Sequence, residues 1–169
     1  AAIEKFPQLF PGCPESGEAC LQRYRAWMDD YIRENGVPVK PGLRELLAWL
    51  KQAHILCAVA TSTFTNVAIG YLKNAGVLNC FAAIVGGDQV TKSKPDPEIF
   101  QLAMRALGKQ TPETCVVFED SRNGLLAGAN GGFPVIVVPD LFDPTLELPG
   151  LCYAKCARLD EAIDVIQNS

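Results

Sequence analysis

Along the chain, apolar and polar positions follow two alternating patterns from Gly42 onward. Leu43, Leu46, Leu47 and Leu50 recur at helical spacing after Pro41-Gly42, which predicts an amphipathic helix over 42–53. Ile55 to Ala60 (ILCAVA) is a continuous apolar run of strand length that ends at Thr61-Ser62-Thr63. Val67, Ile69, Tyr71 and Leu72 predict a second helix that stops at Gly76. Ala82 to Val85 reads as a strand ended by Gly86-Gly87. Asp96-Pro97-Glu98 has the makings of a helix start: Asp caps, Pro suits the first turn and Glu favours the positive end of the dipole. That helix carries Ile99, Phe100, Leu102, Ala103 and Leu107 and ends at Gly108. Cys115 to Phe118 is a third strand, followed by a helix of small residues over 124–129. Pro134 to Val138 is a fourth strand, and Leu159 to Ile166 a closing helix.

Continuously apolar strands separated by helices predict a parallel sheet covered on both faces, an α/β fold. The first part of the chain differs. Residues 1–18 are rich in Pro and Gly, and Ala19 to Asn35 reads as one helix whose Tyr24, Trp27 and Tyr31 suggest packing. Gly36-Val37-Pro38 reads as a hinge, so the expected division is 1–36 and 37–169.

Composition narrows the function. With 49% apolar and 20% charged residues, the 169-residue chain suits one globular domain with a real core. A net charge of −4 argues against a nucleic-acid partner, and no apolar run approaches a membrane span. The first residues carry neither a basic segment nor an apolar signal core, so a cytoplasmic setting is expected. The seven cysteines are scattered and the single histidine, His54, precedes a strand, so reduced thiols are expected rather than a zinc site.

In open α/β sheets, ligands bind outside the carboxyl ends of the strands. Those ends carry Thr61-Ser62-Thr63, then Lys94 beyond a loop, then Glu119-Asp120-Ser121. Hydroxyls and loop amides can hold phosphate oxygens, and a lysine neutralises their charge. Adjacent carboxylates suit Mg²⁺, a hard ion held by few protein ligands together with water and phosphate oxygens. Each element has a plainer meaning: Thr61 or Ser121 could cap the next helix, and Lys94 could simply be solvated. Their joint placement at successive strand ends favours phosphoryl transfer. Neither G-x-x-x-x-G-K-S/T, nor G-x-G-x-x-G after a strand, nor G-x-S-x-G occurs.

The segments VATST (59–63), SKPDPEIF (93–100) and VFEDSRNGLLAGANGG (117–132) resemble the haloacid dehalogenase superfamily, and within it the β-phosphoglucomutase-like phosphatases with a helical cap. The resemblance implies a Rossmann-like parallel core sheet over 37–169, with residues 1–36 as the later part of the cap. It implies that Thr61 and the Ser62 backbone bind the transferring phosphoryl group and that Lys94 neutralises nucleophile and phosphate. It implies that Glu119 and Asp120 hold Mg²⁺, while Ser121, Asn123 and Gly124 form the supporting turn. The family's nucleophile lies in a D-x-D-G motif at the end of a central first strand, and no D-x-D occurs in this sequence. The central strand is therefore expected to be missing, and the chain alone is expected to be inactive unless that N-terminal segment acts as a partner. The implied substrate is a small phosphorylated metabolite such as a sugar phosphate. Alternatives are a sugar-phosphate mutase, a phospho-receiver-like module whose motif order would differ, and a non-catalytic binding module of the same fold.

Overall fold

The computed structural model describes residues 11 and 15–168. The chain divides into two compact units, one ending at Pro38 and the other beginning at Val39. In the first, α1 (Gly17–Asn35) starts at Ser16, whose hydroxyl accepts from the Ala19 N–H at 3.2 Å, and ends at Gly36. No residue of α1 is buried. Tyr24, Trp27 and Tyr31 stack along one exposed stripe, with ring centroids 6.4 and 5.5 Å apart. The expected cap remnant lies in part outside the described residues, since 1–10 and 12–14 are not among them.

The second unit is the α/β fold expected from the hydrophobic pattern. In chain order it contains α2 (Leu43–Gln52), β1 (Ala58–Ala60), α3 (Thr65–Asn74), β2 (Ala83–Val85), α4 (Glu98–Ala106), β3 (Val117–Glu119), α5 (Arg122–Asn130), β4 (Val135–Val137), β5 (Ala154–Lys155) and α6 (Ala162–Gln167). All described strand pairs are parallel. β4 shows why the strands read as uninterrupted apolar runs. Val135 and Val137 point into a core with Ile99, Phe100 and Leu125, while Ile136 and Val138 point into another with Leu46, Leu50 and Leu159. Both faces are covered, so neither needs polar positions.

The strands form two ladders rather than one. β1 pairs with β2, Val59 opposite Ile84; β3 pairs with β4 and β4 with β5, Phe118 opposite Ile136 and Ile136 opposite Ala154. Among the described residues no ladder joins β1 to β3. β1 is also shorter than its apolar run. Ile55 and Leu56 are exposed, because the chain leaves α2 through His54 at φ 54° and the Ile55 amide still bonds back to Leu50. β5 was not legible in the sequence, since Ala154-Lys155 is too short to show a period. Among the described residues no helix is long and apolar enough to cross a membrane.

Candidate functional site

At the end of β1 the Thr61 amide continues the ladder by donating to the Val85 carbonyl at 3.0 Å. The Thr61 hydroxyl oxygen accepts from the Thr63 N–H at 3.2 Å, which leaves its own proton to donate. Thr61 is therefore not a cap for the following helix. That helix follows Phe64, which offers no side-chain cap, and its first amide is held from the turn after β2. Asp88 Oδ1 accepts from the Thr65 amide at 2.6 Å and from the Thr65 hydroxyl at 2.8 Å. These bonds hold the Asp88 carboxyl below the usual carboxylate range.

Lys94 sits on a loop that is braced from within the chain. Glu98, in the first turn of α4, accepts from the amides of Thr91 (3.0 Å) and Lys92 (2.8 Å) and from the Thr91 hydroxyl (2.9 Å). The Thr91 and Lys92 amides push its carboxyl below the ordinary range, with help from the Thr91 hydroxyl. Asp96, the expected cap, accepts from the Glu98 amide at 3.0 Å, although the helix itself begins after Pro97. The brace delivers the Lys94 ammonium across the space between the two ladders. Lys94 Nζ donates to the Ala60 carbonyl at 3.3 Å and to Glu119 Oε1 at 2.5 Å, and lies 4.6 Å from the Phe100 ring centroid. The Lys94 and Glu119 side chains are only 11% and 8% exposed, which makes this a buried ion pair. Such a pair is more consequential when broken than when made.

Glu119 is the last residue of β3, and its second carboxylate oxygen accepts from the Ser121 hydroxyl at 3.0 Å. Ser121 in turn accepts from the Gly124 amide at 3.1 Å and so caps α5. The helix-start meaning of Ser121 and its place in the site coincide. Gly124 is required by close approach: a Cβ there would fall 1.9 Å from the Glu119 carboxyl group. Asp120 points elsewhere. Its side chain is 42% exposed, and Oδ2 lies 3.4 Å from Lys40 Nζ.

Thr61, Ser62, Lys94, Glu119, Asp120, Ser121 and Asn123 all line one cavity of ≈ 680 Å³ within the second unit. The sequence reading did not find Lys40, which lines the same cavity and also lies 3.5 Å from Asp140. No spacing signal ties residue 40 to residues 120 and 140. It also missed Asp88 as a holder of α3 and Glu98 as the brace of the lysine loop.

The donor set suits a hard divalent cation. Both Glu119 oxygens are engaged by protein donors, whereas Asp120 offers a partly open carboxylate into the cavity. Among the described residues no group of three or more His, Cys, Asp or Glu gathers as a complete protein cage. One or two carboxylates completed by water and phosphate oxygens is the arrangement Mg²⁺ favours.

Comparison with known proteins gives a consistent picture. The family description "haloacid dehalogenase-like hydrolase" matches residues 4–132. A phosphorylated carbohydrates phosphatase of Thermotoga maritima is 42% identical over 103 residues, covering 61% of this chain and 45% of its own. A crystal structure from Thermotoga maritima with a provisional β-phosphoglucomutase assignment superposes with a TM-score of 0.77 at 29% identity, covering 98% of this chain and 76% of that one. The crystal structure of a mutant CbbY from Rhodobacter sphaeroides with xylulose-(1,5)bisphosphate superposes with a TM-score of 0.71 at 31% identity, covering 88% and 67%. The chain spans about half the length of most of the curated relatives it matches.

Proposed function

Since the chain belongs to the haloacid dehalogenase-like hydrolases, we propose that it forms the phosphate- and metal-binding part of a Mg²⁺-dependent phosphatase acting on small phosphorylated metabolites, sugar phosphates above all. The observation that carries this reading is the Lys94 ammonium, which links the Ala60 carbonyl to the Glu119 carboxylate inside a cavity that Thr61 and Ser62 also line. A fixed cation beside a free hydroxyl proton at strand ends meets the needs of a transferring phosphoryl group, whose charge grows on its peripheral oxygens. The substrate class follows two relatives, a phosphorylated carbohydrates phosphatase and a CbbY holding a sugar bisphosphate. A cytoplasmic setting suits such metabolites.

In this reading the Thr61 hydroxyl and the Ser62 amide bind and orient the phosphoryl oxygens, and Lys94 neutralises charge as it develops. Asp120, next to the anchored Glu119, would hold Mg²⁺, which supplies further neutralisation when bound. Glu119 keeps Lys94 in position. The nucleophilic aspartate comes from a D-x-D-G strand outside these 169 residues, entering between β1 and β3 where no described ladder joins them. Its carboxylate oxygen would bond to phosphorus as the bond to the leaving oxygen breaks; water then releases phosphate.

The test is phosphate release from a panel of sugar phosphates, with Mg²⁺ and with chelator. A protein carrying the D-x-D-G segment ahead of these residues should turn over, should lose turnover with chelator, and should fall by roughly a hundredfold or more as Lys94→Ala. These 169 residues alone should release none. Equal activity in the Lys94→Ala protein would overturn the reading. The provisional β-phosphoglucomutase assignment of one neighbour favours a mutase as the second reading. Conversion of a sugar 1-phosphate to its 6-phosphate without net phosphate release would select it.

A further inference from the structure

Lys40 lines the cavity yet has no part in the chemistry above. Its ammonium is shared among three oxygens: the Val138 carbonyl at 3.3 Å, Asp120 Oδ2 at 3.4 Å and Asp140 Oδ2 at 3.5 Å. All three contacts are long, and neither carboxylate holds the ammonium tightly. This differs from the other lysine of the cavity, which meets Glu119 at 2.5 Å.

The base of Lys40 is fixed while its arm is not. It precedes Pro41, which restricts its backbone to extended conformations. The Pro41 carbonyl accepts from the Leu159 amide at 3.0 Å. Gly42, at φ 82°, sits so close to Asp160 that a Cβ would fall 2.0 Å from its Oδ1. From this anchored turn a flexible four-carbon stem reaches two carboxylates of unequal character. Asp120 lines the cavity with a side chain 42% exposed, whereas Asp140 is 67% exposed. An ammonium held at Asp140 keeps most of its hydration.

We propose that Lys40 is a resident counter-cation for Asp120, occupying its carboxylate while no divalent ion is present and withdrawing to Asp140 when one binds, so that Lys40 and Asp140 together set the cation affinity of the site. The inference rests on the reading that Asp120 receives the metal. A monovalent charge beside that oxygen opposes a divalent ion by simple Coulomb repulsion, and Asp140 relieves the opposition by offering the ammonium somewhere else to go. If Lys40 served only to orient Asp120, removing it would loosen the ligand and weaken cation binding. The two roles predict opposite signs.

Titration with Mn²⁺ as the probe, following the free ion by electron paramagnetic resonance, tests this without any turnover. Lys40→Met should bind Mn²⁺ more tightly than the wild type, by roughly tenfold. Asp140→Asn, which leaves the ammonium with Asp120 alone, should bind more weakly, by about threefold. Lys40→Arg should stay near the wild type, since it keeps the charge. Unchanged or weakened binding in Lys40→Met, with the wild type still binding, overturns the inference and leaves the metal site standing. No binding by either protein overturns the metal reading and the inference with it. Circular dichroism establishes that each variant is folded; should Lys40→Met fail to fold, unchanged or tighter binding by Asp140→Asn overturns the proposal.

Discussion

The two ladders of the second unit are both built from short parallel strands but are stabilised differently. In the ladder β3–β4–β5, the central strand has a neighbour on each side and is completely enclosed: Val135, Ile136 and Val137 are at most 1% exposed. In the ladder β1–β2, no residue of β1 is buried and only Val85 of β2 is. The first ladder is held by packing on both faces. The second meets only one of these cores, through Val85, Ala58 and Ala60, and is further held by loop connections, among them Thr65 to Asp88 and the Lys94 ammonium on the Ala60 carbonyl. The Thr61 hydroxyl thus sits at the end of the less embedded ladder, and Glu119 and Asp120 at the end of the more embedded one, with one buried ion pair spanning the two.

That comparison can be broken most severely at the ion pair. Lys94→Ala strands a carboxylate that is 8% exposed, and unfolding in urea should show a loss of about 3–5 kcal/mol. Pairing it with Glu119→Gln should restore much of that loss; a double variant as unstable as the single one would mean that the link matters for some other reason than its buried charge.

A milder test places the same substitution in both ladders. Val137→Ala deletes two enclosed methyl groups and should cost about 2 kcal/mol, at ~0.8 kcal/mol each plus a cavity contribution. Val59→Ala in half-buried β1 should cost less than about 1 kcal/mol. Equal midpoint shifts would erase the contrast. If a strand enters between β1 and β3 in a longer protein, the Val59→Ala cost should rise there and the Val137→Ala cost should not.

The smallest effect concerns the brace under Lys94. The amides of Thr91 and Lys92 hold the Glu98 carboxyl below its ordinary range in the folded chain. The brace is therefore at full strength above the ordinary carboxylate range and is lost as pH falls through the lowered value. Stability measured against pH should decline on its acid side, and Glu98→Gln should flatten part of that decline by lowering stability slightly at neutral pH while changing little in acid. An identical acid limb in the variant would show that the loop is held by other bonds.

Much of the fold was legible because burial on both faces writes itself into sequence as continuous apolar runs, as in Val135-Ile136-Val137. The expected helix at Leu43 to Leu50 is present for the equivalent reason, its apolar stripe falling on one face. What failed to register was short or negative in kind. β5 has two residues, too few for any period. Ile55 and Leu56 are apolar but lie outside the ladder, because the preceding turn and not hydrophobicity decides where pairing begins. At the site, Thr61, Lys94 and Glu119-Asp120-Ser121 could be picked out because they follow strands, the one place where sequence order predicts spatial convergence. Lys40 could not, since it follows no strand and reaches its carboxylates across long sequence separations.

The register of the ladders bears on how this unit assembles. The paired strands are neighbours in chain order, β1 with β2, β3 with β4 and β4 with β5, but each parallel pair is closed by a crossover: Ala58 lies opposite Ala83, Val117 opposite Val135 and Ile136 opposite Ala154. Parallel pairs of this kind form slowly, because the crossover loses chain entropy before the pairing offsets it. The ladders also share one apolar core, in which Val85 and the half-buried Ala58 and Ala60 pack with Ile99, Phe100, Val117 and Val137, so the two are expected to consolidate together. Pulse-labelled hydrogen exchange would then find both ladders gaining protection in one phase, with the amides of β4 the most lasting.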